Sequence, residues 1–138
     1  MIKEKGRGGY ESEFSGGLIV ARVLGEIDHH SAADIRKGID CEIYEHRPQK
    51  LILDMSAVDF MDSSGLGLIL GRYAKMKEIG GELVVINPRE NVLKIIKLAG
   101  AERIIKIEMI DLEEELKKQQ EKKMAAKIKG GASERSFK

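Results

Sequence analysis

The sequence predicts an α/β fold in which a small sheet is covered mainly by helices. Apolar runs such as residues 51–53 and 83–86 show no alternation with polar residues, which is typical of strands buried on both faces. Amphipathic segments of about 10–17 residues separate these runs, long enough for helices. Strands separated by helices are joined by right-handed crossovers, so we expect parallel pairing.

Size and composition limit the classes of protein to which the chain can belong. Its 138 residues suffice for one domain, and with 42% hydrophobic but only 4% aromatic residues we expect an aliphatic core. A net charge of +1 gives no overall attraction to nucleic acid. The single cysteine, Cys41, excludes an internal disulfide, and we expect it to be partly buried and unreactive. Without a membrane span or signal peptide in the sequence, we expect a cytoplasmic protein.

The first half of the chain is predicted to contain one strand and one helix. Residues 1–9 are rich in Lys, Arg and Gly and are expected to form a flexible lead-in. Residues 18–24 are β-rich and predict a strand that ends at Gly25. Ser31 is predicted to cap the helix that follows, with Asp34 as its acidic partner. The predicted buried stripe of this helix consists of Ala32, Ile35, Ile39 and Ile43.

The second half is predicted to contain further strands and helices in alternation, with the last strand at residues 104–107. A helix from Ser63 is stopped by the Gly80-Gly81 pair. Asn87 is predicted to cap the next helix, with Pro88 as its first residue. The residues expected to face inward are Leu66, Ile69, Leu70, Tyr73, Met76 and Ile79 in the first helix, and Val92, Leu93, Ile96 and Ala99 in the second.

The C-terminal part of the sequence is predicted to be a helix that continues into a basic tail. Asp111 can cap this helix, in which acidic residues 113–115 precede Lys117 and Lys118, the order that the helix dipole favours. Residues 117–138 are rich in Lys and are expected to be partly disordered. A solvated tail is a simpler explanation for them than a contact with nucleic acid or membrane.

The strongest functional signal follows the strand at 51–53 and reads Phe60-Met61-Asp62-Ser63-Ser64-Gly65-Leu66-Gly67. Two hydroxyls stand in the first turn of a helix, where free backbone N–H groups and the helix dipole favour negative charge. Plain helix capping explains these residues. The alternative is that the turn is also phosphorylated, which adds about 1.5–2 negative charges. The helix start would tolerate that charge but a packed partner would not, so the sequence indicates a switch rather than an enzyme.

Other chemistries have weaker support in the sequence. His29-His30 lacks further ligands at metal-binding spacing, so no metal or other cofactor is expected. The serine pair does not lie in the Gly-x-Ser-x-Gly turn of hydrolases. Gly65, Gly67 and Gly71 are not followed by the Lys-Ser/Thr of a phosphate loop. Glycines at this helical spacing indicate either close packing or a surface left bare for a partner.

Four motifs, in this order, resemble bacterial anti-sigma factor antagonists with the STAS fold, over about residues 10–115. The His pair and the Gly-Arg-Tyr triplet are most similar to sporulation antagonists of the sigma-F pathway. The motifs are Gly25-Glu26-Ile27-Asp28-His29-His30, the turn around Ser63, Gly71-Arg72-Tyr73, and Gly80-Gly81-Glu82-Leu83-Val84-Val85.

The resemblance implies a STAS domain at residues 10–116, with about four or five strands in a mixed sheet, an edge strand within residues 9–14, and about four helices mainly on one face. It also implies a non-enzymatic protein, monomeric when free, that binds an anti-sigma factor and releases the sigma factor. That partner is a serine kinase that phosphorylates Ser63, and a PP2C-type phosphatase reverses the modification. The expected partner contacts are Asp28, Asp62, Ser64, Gly65, Gly67 and Arg72.

Two other functions remain open at this point. The chain could be a STAS scaffold subunit of a stress-signalling assembly, in which self-association dominates. It could also be a nucleotide-binding or hydrolytic protein, a hypothesis that only its glycine content supports.

Overall fold

The computed structural model describes residues 9–111 and, in the segment that follows, residues 113, 114, 117, 118 and 121. The predicted α/β class is confirmed. The elements in chain order are β1 (Gly9–Ser15), β2 (Leu18–Ile27), α1 (His29–His46), β3 (Lys50–Met61), α2 (Ser63–Glu78), β4 (Glu82–Ile86), α3 (Glu90–Leu98), a 3-10 turn (Ala101–Arg103) and β5 (Lys106–Glu108).

The five strands form one mixed sheet in the order β1-β2-β3-β4-β5. β1 pairs antiparallel with β2, as expected for the N-terminal edge strand, and the other pairs are parallel. Each helical crossover leads to the next strand in the same direction, so right-handed connections place α1, α2 and α3 on one face. These three helices are the ones that connect the strands, where about four helices in all are expected.

The fourth expected helix begins at Asp111. The Oδ1 of Asp111 accepts a hydrogen bond of 3.2 Å from the N–H of Glu114, as a capping residue would, and residues 113 and 114 are helical. Of the lead-in predicted at residues 1–9, Gly9 instead begins β1, and residues 1–8 lie outside the described residues, as does most of the predicted tail at 117–138.

The core lies between the sheet and the helices and is aliphatic, as the composition predicts. The predicted stripe of α1 is buried. Full burial of an isoleucine side chain contributes about 1.5–3 kcal/mol to the free energy of unfolding. The largest fully buried side chains of the core are Ile19, Ile27, Ile35, Ile39, Leu51, Leu53, Met55, Met61, Ile69, Met76 and Ile96.

The edge strand β1 is fastened to α1 by a small polar cluster. The hydroxyls of Tyr10 and Ser12 each donate a hydrogen bond of 2.7 Å to the carboxylate of Glu42. Burial, and secondarily the bond to Glu42, raises the pKa of Tyr10 well above its usual value. The Tyr10 ring lies against Gly38 of α1, where a Cβ would overlap it.

The start of α1 differs from the prediction, because Asp28 and not Ser31 is its N-cap. The Asp28 carboxylate accepts the N–H groups of His30 (3.0 Å) and Ser31 (2.9 Å). The Asp28 N–H donates to the Ser31 hydroxyl at 2.9 Å, so Ser31 is the third helical residue of a reciprocal capping box. The prediction took the second half of this box for the cap.

The prediction for the start of α3 is also wrong. Asn87 adopts a φ of +53°. Its N–H donates to the carbonyl of Glu108 at 2.9 Å, and its Oδ1 accepts the N–H of Ile110 at 2.7 Å. Asn87 therefore ties the end of β4 to β5 instead of capping a helix, and α3 starts at Glu90 without a side-chain cap.

Four smaller expectations also need correction. β3 has twelve residues where a three-residue run is expected. In α2, Leu68 is buried, whereas Leu66, Leu70, Tyr73 and Ile79 are only partly buried. Ile104 is 55% exposed and precedes β5, and Ala99 of the inward set is also exposed. Cys41 is exposed rather than partly buried.

Two glycines of α2 should respond to substitution in opposite directions. A Cβ at Gly65 would lie 2.6 Å from the sulfur of Met61, whereas one at Gly67 would meet nothing within 4 Å. We expect Gly65→Ala to lower the free energy of unfolding by about 1–3 kcal/mol through overpacking. Gly67→Ala should raise it by up to about 1 kcal/mol because alanine favours helix. Urea unfolding of both variants checks this, and equal effects would contradict the packing described.

Candidate functional site

The register of β2 and β3 brings two helix starts together. Ile27 and Met61, the last residues of these parallel strands, are register partners. The N–H of Asp62 donates to the carbonyl of Ile27 at 3.2 Å, which ties the two strand ends. α1 and α2 therefore begin side by side at the same edge of the sheet.

Each of these helices begins with an aspartate cap. The Oδ1 of Asp62 accepts the N–H of Ser64 at 2.7 Å, and its carbonyl accepts the N–H of Gly65 at 3.0 Å. Asp28 caps α1. The hydrogen bond from the Ser31 backbone, together with that from His30, lowers the pKa of the Asp28 carboxyl below its ordinary value of 3.8. Two carboxylates thus stand at the positive ends of two adjacent helices.

Ser63 is the first residue of α2, and its side chain is exposed. Asp62 performs the capping of α2, so the Ser63 hydroxyl is left for other chemistry. Its position at the N-terminus of the helix is one that favours a phosphate electrostatically. Ser64 is partly buried and faces a groove between the helices. Of the two hydroxyls, Ser63 is the more accessible to an enzyme.

The groove lies between the first turns of α1 and α2 and has a volume of about 300 Å³. Gly67 is exposed there, and Gly65 is instead buried against Met61. The three glycines of the sequence stripe therefore have different roles: Gly65 permits close packing, whereas Gly67 and Gly71 leave open space. The groove is lined by His29, Ala32, Ala33, Arg36, Ser64, Gly67 and Leu68.

Arg72 does not lie on the surface, contrary to what its expected role as a partner contact requires. Its side chain is only 4% exposed, and its Nε lies 2.9 Å from Oδ1 of Asp40 on α1. The two atoms are not aligned as a hydrogen bond, and Nη1 of Arg72 has no hydrogen-bond partner among the described residues. Burial is the main cause that lowers the pKa of Arg72. Arg72 thus joins α1 to α2 beneath the surface.

Neither Arg36 nor Asp40 was named from the sequence, and His29 was considered as a metal ligand and as part of the His pair in the family resemblance. Arg36 and Asp40 are four residues apart on α1, a spacing that places them on one helix face. That spacing could have marked them as a polar patch on the side that faces α2. It could not have identified Arg72 as the partner.

The His29 and His30 rings lie edge to face with centroids 5.6 Å apart. Among the described residues, no group of three His, Cys, Asp or Glu side chains could hold a metal ion. Within the same part of the chain, no helix has the length and apolar character needed to cross a membrane.

Comparison with known proteins gives consistent results. The STAS domain family profile matches residues 10–116. An anti-sigma F factor antagonist of Paenibacillus polymyxa is 35% identical over 97 residues, which are 70% of this chain and 83% of the relative. The anti-sigma factor antagonist SpoIIAA in its unphosphorylated form has a TM-score of 0.69 at 28% identity, covering 81% of this chain and 96% of the other. SpoIIAA of Bacillus in its phosphorylated form has a TM-score of 0.65 at 28% identity, covering 80% of this chain and 98% of the other.

The ion pair between the buried Arg72 and the partly exposed Asp40 gives a stability prediction. Asp40→Asn leaves the buried guanidinium without its counter-charge, and we expect a loss of about 3 kcal/mol in the free energy of unfolding. The double variant Asp40→Leu with Arg72→Met should recover most of this loss, because it removes both charges. Asp34→Asn, at an exposed position of the same helix, is the control and should change stability by less than about 0.5 kcal/mol. Urea unfolding measures all three, and equal stabilities of Asp40→Asn and Asp34→Asn would contradict the pairing.

The lowered pKa of Asp28 gives a pH-dependence prediction. Because the pKa in the folded protein lies below its ordinary value of 3.8, the ionised carboxylate stabilises the fold above about pH 4. That contribution is lost as the pH falls through the folded-state pKa. Asp28→Asn keeps a capping oxygen but not the charge, so the wild type should be more stable than this variant at pH 7, and the difference should shrink as the pH falls below about 4. A difference independent of pH would contradict the assignment.

Proposed function

The chain belongs to the STAS domain family, and on that premise we propose that it is an anti-sigma factor antagonist. In its unphosphorylated form it binds an anti-sigma factor and thereby releases a sigma factor. The Paenibacillus relative carries this function in its name, and the solved SpoIIAA structures represent two phosphorylation states of such a protein. The observation that carries the proposal is the exposed Ser63 at the start of a helix already capped by Asp62.

The switch is the phosphorylation of Ser63. The anti-sigma partner is a serine kinase that transfers the γ-phosphoryl group of ATP to the Ser63 hydroxyl and leaves ADP, and a PP2C-type phosphatase hydrolyses the phosphoserine. The phosphate adds about 1.5–2 negative charges next to two aspartates. An uncompensated charge in an interface costs about 2–5 kcal/mol, which corresponds to an affinity loss of roughly 30-fold to a few thousand-fold. This suffices for a switch without refolding.

The binding surface surrounds Ser63. Asp28, Asp62, Ser64 and Gly67 are its accessible members, because each is exposed or partly buried at the starts of α1 and α2. Gly65 acts by letting α2 pack closely on Met61. Arg72 acts by holding α1 beside α2 and makes no contact of its own with the partner.

The remaining properties follow from this role. The domain extends over residues 10–116, the part that the family profile matches, and residues 117–138 are an extension outside it. The protein is a regulator and not an enzyme, requires no cofactor, and is a monomer when free. It acts in the cytoplasm, where the sigma factor must be released.

Substitutions of Ser63 test the switch. With ATP and the cognate anti-sigma kinase, we expect the wild type and the control Ser15→Ala, an exposed serine of β1, to gain one phosphate, and Ser63→Ala to gain none. Ser63→Ala should bind the kinase as tightly as the wild type, whereas Ser63→Asp should remain folded and bind at least tenfold more weakly. Intact mass with fragment mapping and titration calorimetry give these values.

Two outcomes would contradict the proposal in different ways. A phosphate on Ser64 would keep the function but move the modified residue. A kinase that is active on another substrate yet neither binds nor phosphorylates the wild type would refute the antagonist function.

A further inference from the structure

The lining of the groove between α1 and α2 includes one guanidinium group, that of Arg36, and no carboxylate. Arg36 lies on the α1 side of the groove, and His29 lies about two helical turns before it. Asp40, the acidic residue of the next turn, is already paired with Arg72 at 2.9 Å. Arg36 is close enough to Arg72 to contribute to the lowered pKa of that guanidinium. Among the described residues no carboxylate forms an ion pair with Arg36, so its guanidinium can bind a carboxylate of a partner.

The floor of the groove is apolar and open. Ala32, Ala33 and Leu68 line it, and Gly67 adds no side chain. A Cβ at Gly67 would meet nothing within 4 Å. The volume of about 300 Å³ corresponds to about ten water molecules, which is enough for a side chain of a partner to enter.

The groove is continuous with the candidate phosphorylation site. Ser64 lines it, and Ser63 is the preceding residue on the exposed side of the same turn. A protein that covers Ser63 therefore also covers the groove. This position makes the anti-sigma partner, and not an unrelated ligand, the expected occupant.

Building on the proposed function, we infer that the groove receives an acidic side chain, Asp or Glu, of the anti-sigma partner. Its carboxylate pairs with the Arg36 guanidinium, whose planar fork matches a carboxylate, and its aliphatic part lies over Ala33 and Gly67. His29 adds a further hydrogen-bond donor at the rim. Arg36 is then a specificity residue of the interface.

A carboxylate of the partner in the groove would add to the effect of phosphorylation. A phosphate on Ser63 would stand beside the incoming carboxylate of the partner. Like charges brought together in an interface oppose binding. Phosphorylation would thus weaken the very contact that Arg36 makes with the unphosphorylated protein.

The test compares charge reversals on one helix. Affinities of the full chain for the purified anti-sigma kinase with ADP are measured by titration calorimetry. Arg36→Glu should weaken binding at least tenfold. Lys37→Glu makes the same charge change at an exposed position outside the groove. Its affinity should stay within about threefold of the wild type, since exposed surface charges contribute little. Gly67→Leu, which fills the groove, should also weaken binding at least tenfold while its thermal unfolding stays cooperative.

Three results would overturn the inference. If the wild type is phosphorylated on Ser63 but Arg36→Glu and Lys37→Glu bind equally, the groove does not hold an acidic side chain, although the proposed function stands. If the wild type does not bind the kinase at all, function and inference both fail. If sedimentation shows a dimer that Gly67→Leu abolishes, a second copy occupies the groove.

Discussion

The parallel pairing of β2 with β3 up to Ile27 and Met61 is the constraint on which the rest of the structure depends. Because the two strands end level, and the N–H of Asp62 is bonded to the carbonyl of Ile27, two helices must start next to each other. A helix start favours added negative charge. The register thus creates both the site for a phosphate and the surface around it.

The extension of β3 beyond β4 makes this arrangement possible and depends on long-range contacts. β4 pairs with β3 only as far as Asp54. Beyond it, side chains at the start of α3 bond the free edge: Nε of Arg89 donates to the carbonyl of Ser56 at 3.0 Å, and Nδ2 of Asn91 donates to that of Asp59 at 2.9 Å. The turn at Ser63 is therefore held by a helix some thirty residues later in the chain.

The sequence predicted what local periodicity determines and missed what distant residues decide. The aliphatic stripe of α1 and the helix at Ser63 follow from spacing alone. The length of β3 does not, because Asp54 and Asp59 interrupt the apolar pattern and the edge is satisfied from α3. Asn is a common capping residue, but the hydrogen bonds of Asn87 with Glu108 and Ile110 hold it at the end of β4. Arginine is usually exposed, but Arg72 pairs with Asp40 and is buried.

The position of the candidate site could be predicted from the sequence, but the roles of the individual residues within it could not. The motif around Ser63 places Asp62, Ser63 and Ser64 at a helix start, and spacing cannot say which of the three caps the helix, which faces the groove and which is exposed. That division follows from Asp62, whose carboxylate bonds the Ser64 N–H and so frees Ser63. Which charged groups line the groove likewise depends on the packing of α1 against α2, which the sequence of neither helix determines alone.

The central claim is that phosphorylation changes the charge of a preformed surface and leaves the fold intact. Backbone amide NMR spectra of the unphosphorylated and Ser63-phosphorylated protein test it most directly. We expect shift changes confined to the first turns of α1 and α2 and the groove between them, with unchanged amide exchange in β2, β3 and the core of α1. Shift changes spread through the sheet, or lost protection in α1, would contradict it and indicate that the switch acts by refolding.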